Sequence, residues 1–162
     1  CIPVDPMFLS WQANQQGIET RFIDLADQVN REMPNHVVHR LIKELNDRGI
    51  ALSNAEILVL GVAYKADVSD TRESPAIDII DRLLEWGASV RYHDPYVPEL
   101  HLPEKKYESI DLTVDRLSSA DCSLILTDHT ELSIDRVIRH SSLVFDTRNA
   151  TSASKSENIV RL

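Results

Sequence analysis

Residues 57–75 read ILVLGVAYKADVSDTRESP, and this stretch decides the fold. Ile57-Leu58-Val59-Leu60 is a short, uninterrupted apolar run suited to a strand buried on both faces. Gly61 breaks it. A polar loop from Tyr64 to Glu73 follows, and Ser74-Pro75 then supplies a helix cap and a proline suited to the first helical turn. A strand, a loop and a capped helix in that order form one half of a βαβ unit. The same alternation continues along the chain. Ser89-Val90-Arg91-Tyr92, Ser123-Leu124-Ile125-Leu126 and Leu143-Val144-Phe145 are further strand-like runs. Helical patterns lie at Pro75–Glu85, Thr113–Ala120 and Ile134–His140, and Gly87 closes the first of them. Strands alternating with helices require right-handed crossovers and a parallel sheet covered on both faces. The class is α/β: a doubly wound, Rossmann-like parallel sheet preceded by a helical segment.

The chain divides near residue 53, giving an expected helical part at 1–52 and the sheet domain at 53–162. Pro6–Gln16 carries Phe8, Leu9 and Trp11 and stops at Gly17. From Thr20 to Arg48, Phe22, Leu25, Ala26, Val29, Met33, Val37, Leu41 and Leu45 recur at steps of three and four, the spacing of an amphipathic helix. Pro34 is expected to kink or split this helix, with Asn35 as a restart cap, and Gly49 ends it. So long a stripe, with so little chain to cover it, points to packing against other sequence or a second subunit.

Acidic side chains outnumber basic ones by 26 to 17, a net charge of −9. Such a surface repels nucleic acid and anionic lipid, and no apolar run reaches the roughly 20 residues of a membrane helix. Neither nucleic acid nor membrane is therefore an expected partner. Two cysteines, Cys1 and Cys122, make neither a metal cage nor a disulfide framework, so no metal is expected and a reducing, cytoplasmic setting is. The sequence starts at Cys1 without Met and reads as a piece of something longer.

An open parallel sheet binds ligands beyond the carboxyl ends of its strands. Four loops are selected by that rule: Gly61 to Pro75, His93-Asp94-Pro95-Tyr96, Thr127-Asp128-His129, and Asp146-Thr147-Arg148-Asn149. Lys65, Arg72 and Arg148 lie on them and put three cations on one rim of an acidic chain, a set suited to phosphate or pyrophosphate. The alternative is ordinary ion pairing with neighbouring carboxylates. The first loop has only Gly61 and lacks the GxGxxG spacing, so it is not read as a main dinucleotide site. His93, Asp128 and His129 admit a metal or acid–base reading, but hydrogen bonding to loop backbone is the expected one. Cys122 reads as buried packing. Cys1, in Cys1-Ile2-Pro3-Val4-Asp5-Pro6, has the chemistry of a covalent nucleophile with a carboxylate nearby.

Taken together these motifs resemble the UDP-glucose/GDP-mannose dehydrogenase family. Cys1-Ile2-Pro3-Val4-Asp5-Pro6 is similar to the tail of its catalytic-cysteine motif. Gly61-x-Ala-Tyr-Lys65 with Asp70-x-Arg72-Glu-Ser-Pro75 is similar to the signature that opens its C-terminal nucleotide-sugar domain. His93-Asp94-Pro95 and Asp146-Thr147-Arg148-Asn149 match later landmarks. The likeness runs from Cys1 to about Ala150. It is nearest to the branch acting on UDP-N-acetyl-D-glucosamine, with the mannosamine branch as near rival. Val4, where the glucose branch usually has Lys, argues against UDP-glucose.

The resemblance implies an NAD-dependent oxidation of a sugar C6 alcohol to a carboxylate. Cys1 would capture the aldehyde and carry a thioester, and Asp5 would order the hydrolytic water. Tyr64 and Lys65 would contact the UDP-N-acetylhexosamine, Arg148 would hold its uridine diphosphate end, and Arg72 would reach toward NAD. On this reading residues 1–52 end a central helical domain whose long stripe forms a homodimer interface. The chain alone is expected to be inactive, because the resemblance places the glycine-rich NAD loop outside it. The alternative is a nucleotide-sugar-binding and dimerisation module that works without catalysis.

Overall fold

A computed structural model describes residues 4–102 and 105–162. The chain opens with two helices, α1 (Val4–Asn14) and α2 (Arg21–Asn46), and a 3-10 turn at Leu52–Asn54. There follow β1 (Glu56–Leu60), α3 (Pro75–Glu85), β2 (Ser89–His93), β3 (Glu99–His101), β4 (Lys106–Glu108), α4 (Val114–Ser119), β5 (Cys122–Ile125), α5 (Ile134–His140), β6 (Val144–Asp146) and β7 (Ile159–Arg161).

Five strands form one parallel sheet in the order β2-β1-β5-β6-β7. Alternate residues along each central strand face opposite layers. Ile57 and Val59 of β1, Leu124 of β5 and Phe145 of β6 point into a core completed by α2 and α3. Leu58, Leu60, Ile125 and Val144 point the other way, onto Leu117 of α4 and Val137 of α5. This two-faced burial makes the strands continuous apolar runs, as expected. The order reverses between β1 and β5, and the loops above that junction form the natural crevice of the fold.

The helix caps follow the local sequence. Ser74 accepts a hydrogen bond from the Ala76 N–H, and Pro75 fills the first turn of α3, where a missing N–H costs nothing. Thr113 caps α4 through the Arg116 N–H. Thr20, before α2, behaves differently. Its hydroxyl donates to Ser10 Oγ of α1, Ser10 in turn donates to Asp24, and this chain pins the two helices together.

Three features depart from the expected pattern. Helix α2 runs through Pro34 as one element instead of splitting there. Burial supplies the reason. Pro34, Val37, Val38, Leu41 and Leu45 are the buried residues of α2, so packing on α3 and into the core it shares with the sheet holds the helix through a residue that lacks one backbone donor. Pro34 thus divides α2 by environment: Phe22, Leu25, Val29 and Met33 before it are exposed. Second, β3 and β4 form an antiparallel hairpin with Leu100 opposite Tyr107, an insertion of three-residue strands too short to leave a periodic signature. Third, β7 adds a strand at the sheet edge. The second half of α2 and the sheet share one apolar core, so residues 1–52 and 53–162 are continuous in packing.

Gly61 is required by space as well as by conformation. Its φ is +79°, and a Cβ there would lie 2.5 Å from both Cβ and the carbonyl oxygen of Thr127. Gly61→Ala combines a strained backbone with overpacking and is expected to destabilise the fold by about 3 kcal/mol, read from thermal or urea unfolding.

Candidate functional site

The crevice above β1, β2 and β5 is organised by one carboxylate. Asp94, 2% exposed, follows β2 directly. Its Oδ1 accepts the N–H groups of Tyr96 at 2.8 Å and Val97 at 3.1 Å, closing the turn that Asp-Pro initiates. Its Oδ2 accepts from Val62 N at 2.7 Å and Ala63 N at 3.1 Å, on the loop after β1, and lies 3.0 Å from His129 Nε2, on the loop after β5. Three strand ends therefore meet on one side chain. Ser109 clasps the Asp94 backbone from the far side, donating to its carbonyl oxygen and accepting from its N–H, and so ties the β3–β4 hairpin to the crevice.

This arrangement has a direct chemical consequence. In a phosphate-binding βα turn, the first backbone N–H groups after the strand are offered to the ligand. Here the Val62 and Ala63 N–H groups are taken up by an internal carboxylate. Together with the single Gly61, that leaves no dinucleotide cradle on this loop, as the sequence indicates.

The loop from Tyr64 to Glu73 leaves this anchor and turns outward. Tyr64 and Lys65 are exposed, with Lys65 Nζ 5.4 Å from the Tyr64 ring centroid. Asp67 takes φ +60° and Glu73 +56°, so two L-residues in this one loop sit in the left-handed region. The third such residue is Asn149 at +60°, beside Arg148. Among the described residues these strained positions all lie on loops at the carboxyl rim. Asp67 Oδ1 accepts from the Thr130 N–H at 2.9 Å and the Thr130 hydroxyl at 3.0 Å, and the backbone bond from Thr130 is the leading cause that lowers its carboxyl pKa.

Arg72 makes a forked pair with Asp70, with Nε–Oδ1 at 3.0 Å and Nη2–Oδ2 at 2.7 Å. The hydrogen bonds from Arg72 pull the Asp70 carboxyl down to about 2, and the same pair raises the guanidinium. For Arg72 the ion-pair alternative therefore holds in this structure. Lys65 and Arg148 differ: among the described residues, neither has a carboxylate within ion-pair distance.

Arg148 is placed by a second buried carboxylate. Asp146, at the end of β6, accepts from Arg148 N at 2.9 Å, Thr151 N at 2.8 Å and the Thr151 hydroxyl at 2.7 Å, with Ala150 N at 3.3 Å. Burial pushes the Asp146 carboxyl up, but these hydrogen bonds outweigh it and hold it below the ordinary 3.8. The Arg148 side chain is exposed. Because β5 lies between β1 and β6, the loops of Lys65 and Arg148 flank the Thr127–His129 loop, with strand axes roughly 10 Å apart.

The remaining expectations fall as follows. His93 Nδ1 is 2.7 Å from the Ile110 carbonyl, the expected backbone contact. His129 Nδ1 accepts the Asp67 N–H, again to backbone, but its other nitrogen meets Asp94, a link the sequence did not reveal. Asp128 is exposed. Cys122 is fully buried and free, and burial pushes its thiol up to about 12, an inert packing role. Among the described residues no His, Cys, Asp and Glu cluster is arranged to hold a metal. Asp5 is exposed in the first turn of α1, which packs on α2. Cys1 lies outside the described residues. Among the described residues no helix is long and apolar enough to cross a membrane. Sequence reasoning missed Thr127, whose hydroxyl donates to the Ala63 carbonyl at 2.6 Å, and it missed the organising roles of Asp94 and Asp146. The available signal was an aspartate at the end of each strand, the usual opening of an Asx turn.

Comparison with known proteins adds a family. Residues 58–153 match the model described as the UDP-glucose/GDP-mannose dehydrogenase family, UDP binding domain. A UDP-N-acetyl-D-mannosamine dehydrogenase of Methanococcus maripaludis is 34% identical over 157 residues, covering 92% of this chain and 34% of the relative. The structure of a UDP-D-ManNAc dehydrogenase from Pyrococcus horikoshii superposes with a TM-score of 0.81 at 26% identity, covering 99% of this chain and 37% of that one. An NDP-N-acetyl-D-galactosaminuronic acid dehydrogenase from Methanosarcina mazei gives 0.70 at 28% identity, over 86% and 30%. The chain spans about a third of the length of these relatives.

Two outcomes test the carboxylate scaffold. Asp94→Asn turns one accepting oxygen into a donor that faces N–H groups, and is expected to cost about 3 kcal/mol in urea unfolding. Asp146, with its folded pKa lowered, contributes stability that is complete above its ordinary 3.8 and is lost as pH falls below that value. Stability should therefore drop as pH is lowered through and below about 3.8, and Asp146→Asn should show a shallower drop over the same range.

Proposed function

This chain belongs to the UDP-glucose/GDP-mannose dehydrogenase family, and we propose that it is the part of a UDP-N-acetylhexosamine 6-dehydrogenase that holds the substrate's uridine diphosphate. The observation that carries the reading is electrostatic. In a chain of net charge −9, Lys65 and Arg148 are rim cations with no carboxylate at ion-pair distance among the described residues, and both lie in the segment that matches the UDP-binding model. Two such charges on loops flanking the switch point suit a pyrophosphate, and Arg148 can offer a planar fork of donors. Tyr64 supplies an exposed ring beside Lys65 for the sugar or base. The mannosamine epimer is the first substrate to try, because the Methanococcus maripaludis and Pyrococcus horikoshii relatives carry that name.

The parent reaction we assign is NAD-dependent oxidation of the C6 alcohol to a carboxylate. NAD would accept the hydrides, and its main site belongs to the part of the relatives' length that this chain does not span. The loop after β1 offers NAD no backbone cradle, because Asp94 takes up the Val62 and Ala63 N–H groups. Arg72, already forked on Asp70, is at most an outlying contact for it. Cys1 would bond covalently to the sugar carbon through its thiolate, and Asp5 would order water for release of the acid. We assign residues 1–52 to the end of the central helical domain and 53–162 to the UDP-sugar domain. The bare apolar stretch of α1 and the first half of α2, with Phe8, Trp11 and Phe22 exposed, would form a homodimer contact. A buried free thiol at Cys122 is in keeping with the cytoplasm.

Calorimetry with UDP tests the reading on the chain itself. UDP should bind, more weakly as salt is raised. Losing a charge-assisted hydrogen bond costs about 1.5–3 kcal/mol, so Arg148→Ala should weaken binding roughly 10- to 150-fold, with partial recovery in Arg148→Lys. Arg72→Ala should change UDP affinity little. Equal losses for Arg72→Ala and Arg148→Ala would refute this division of roles, and no effect from either would place the site elsewhere. In a polypeptide of the relatives' full length, Cys1→Ala should abolish carboxylate formation while leaving UDP-sugar affinity within about threefold.

A further inference from the structure

We propose that His129, fixed as its Nε2–H tautomer, is a positioning residue that holds the Tyr64–Lys65 loop in its ligand-ready shape. What that loop binds rests on the UDP reading above, whereas how it is held does not. The ring is 2% exposed and bridges two loops. Nδ1 lies 3.0 Å from the Asp67 backbone nitrogen, which can only donate, so Nδ1 is bare and accepts. Nε2 lies 3.0 Å from Asp94 Oδ2, which also accepts from two backbone N–H groups, so Nε2 carries the hydrogen and donates. Two partners of fixed polarity thus select one neutral tautomer. With both nitrogens engaged and the ring enclosed, His129 has neither a lone pair nor a proton to offer a ligand, and its contribution is geometric.

The loop needs such a tie. Between buried Ala63 and the Ser74 cap, Tyr64 N donates to the Asp70 carbonyl and Asp70 pairs with Arg72, bonds that stay within the loop. The hydrogen bonds that tie it sideways to another strand-end loop converge on Asp67. Its N–H reaches His129, and its Oδ1 takes the Thr130 N–H and hydroxyl. The backbone at Asp67 is also left-handed, with φ +60°, a conformation that an L-residue holds only when its surroundings enforce it. Tyr96 packs its ring 5.1 Å from the imidazole and closes the outer side. Since Lys65 lies two residues from Asp67, releasing the His129 bond would free the cation assigned to the pyrophosphate.

The experiment uses this chain, with UDP as probe, and three variants: His129→Leu, His129→Gln and Asp67→Gly. The readouts are the ring nitrogen NMR spectrum of His129, hydrogen exchange of the Asp67 amide, the thermal midpoint and the UDP dissociation constant. The wild-type ring should show the Nε2–H tautomer. His129→Leu should speed exchange at Asp67 and weaken UDP binding roughly tenfold, the effect of losing the hydrogen bond that ties Asp67 to the ring. His129→Gln, whose amide keeps an acceptor and a donor, should restore affinity to within about threefold. Asp67→Gly, at an exposed site whose φ glycine accepts, removes the Thr130 contacts without disturbing the core and should weaken UDP binding in the same direction; it carries the test if His129→Leu does not fold. An Nδ1–H ring overturns the proposal, as does a lowered midpoint with unchanged UDP affinity, or a Gln variant no better than Leu. If wild-type chain binds no UDP, the functional reading fails, while the tautomer and the Asp67 exchange still decide whether His129 holds the loop.

Discussion

The Asp94 carboxylate is the interaction on which the functional end of this molecule depends. Its two oxygens accept from Val62, Ala63, Tyr96, Val97 and His129, drawing the ends of β1, β2 and β5 to one buried point. A parallel sheet by itself leaves the N–H groups beyond each strand unsatisfied. Ligand-binding folds of this type commonly leave them for a phosphate, and here an internal anion closes them instead. The rim is thereby built to a fixed shape before any ligand arrives, and the charges that could meet a ligand are displaced outward onto exposed Lys65 and Arg148. Gly61 makes this geometry possible, since only a residue without Cβ lets the β1 loop pass so close to Thr127.

Asp146 repeats the device on a smaller scale at the end of β6, taking up the backbone of residues 148–151. Asp70 repeats it at the surface, where its carboxylate receives both the Arg72 N–H and its guanidinium. Three aspartates thus shape three loops that follow strands, and in each case an arginine or a tyrosine two residues on is set in place by the turn. The acidic composition therefore contains a subset of side chains that act as structural acceptors and are unavailable as general surface charge.

Much of the sheet was legible because burial on both faces leaves a plain mark: Ile57–Leu60 and Leu124–Leu126 are apolar without alternation, and Ser74-Pro75 announces a helix. Pro34 was misleading for a physical reason. Local propensity breaks a helix there, but Val37, Val38, Leu41 and Leu45 enter the core shared with α3 and the sheet, and tertiary packing prevails. The β3–β4 hairpin left no mark, because three residues per strand are too few for a period. At the site, the rim cations could be located from the loops that bear them. The difference between Arg72 and Arg148 could not, since each follows an aspartate by two residues, and only Asp70 turns its carboxylate to the guanidinium while Asp146 is taken up by backbone N–H groups and Thr151. The bond from His129 to Asp94 joins residues far apart in sequence through side chains alone, and no spacing rule reaches it.

β1 comes first among the strands yet sits between β2 and β5 in the sheet. On a ribosome, where the chain emerges from its amino end, β1 would keep one hydrogen-bonding edge open until the residues of β5 had left the tunnel. An apolar strand with an open edge is a template for pairing with other chains. The preceding helix bears on this hazard. The second half of α2 is synthesised just ahead of β1 and lies on the same core as Ile57 and Val59, so one face of the nascent strand can be covered at once. The opposite face, with Leu58 and Leu60, must wait for α4 and α5. Placing a docking helix immediately upstream of the central strand thus shortens the interval in which the growing chain is vulnerable, a service to its biosynthesis distinct from anything the finished site requires.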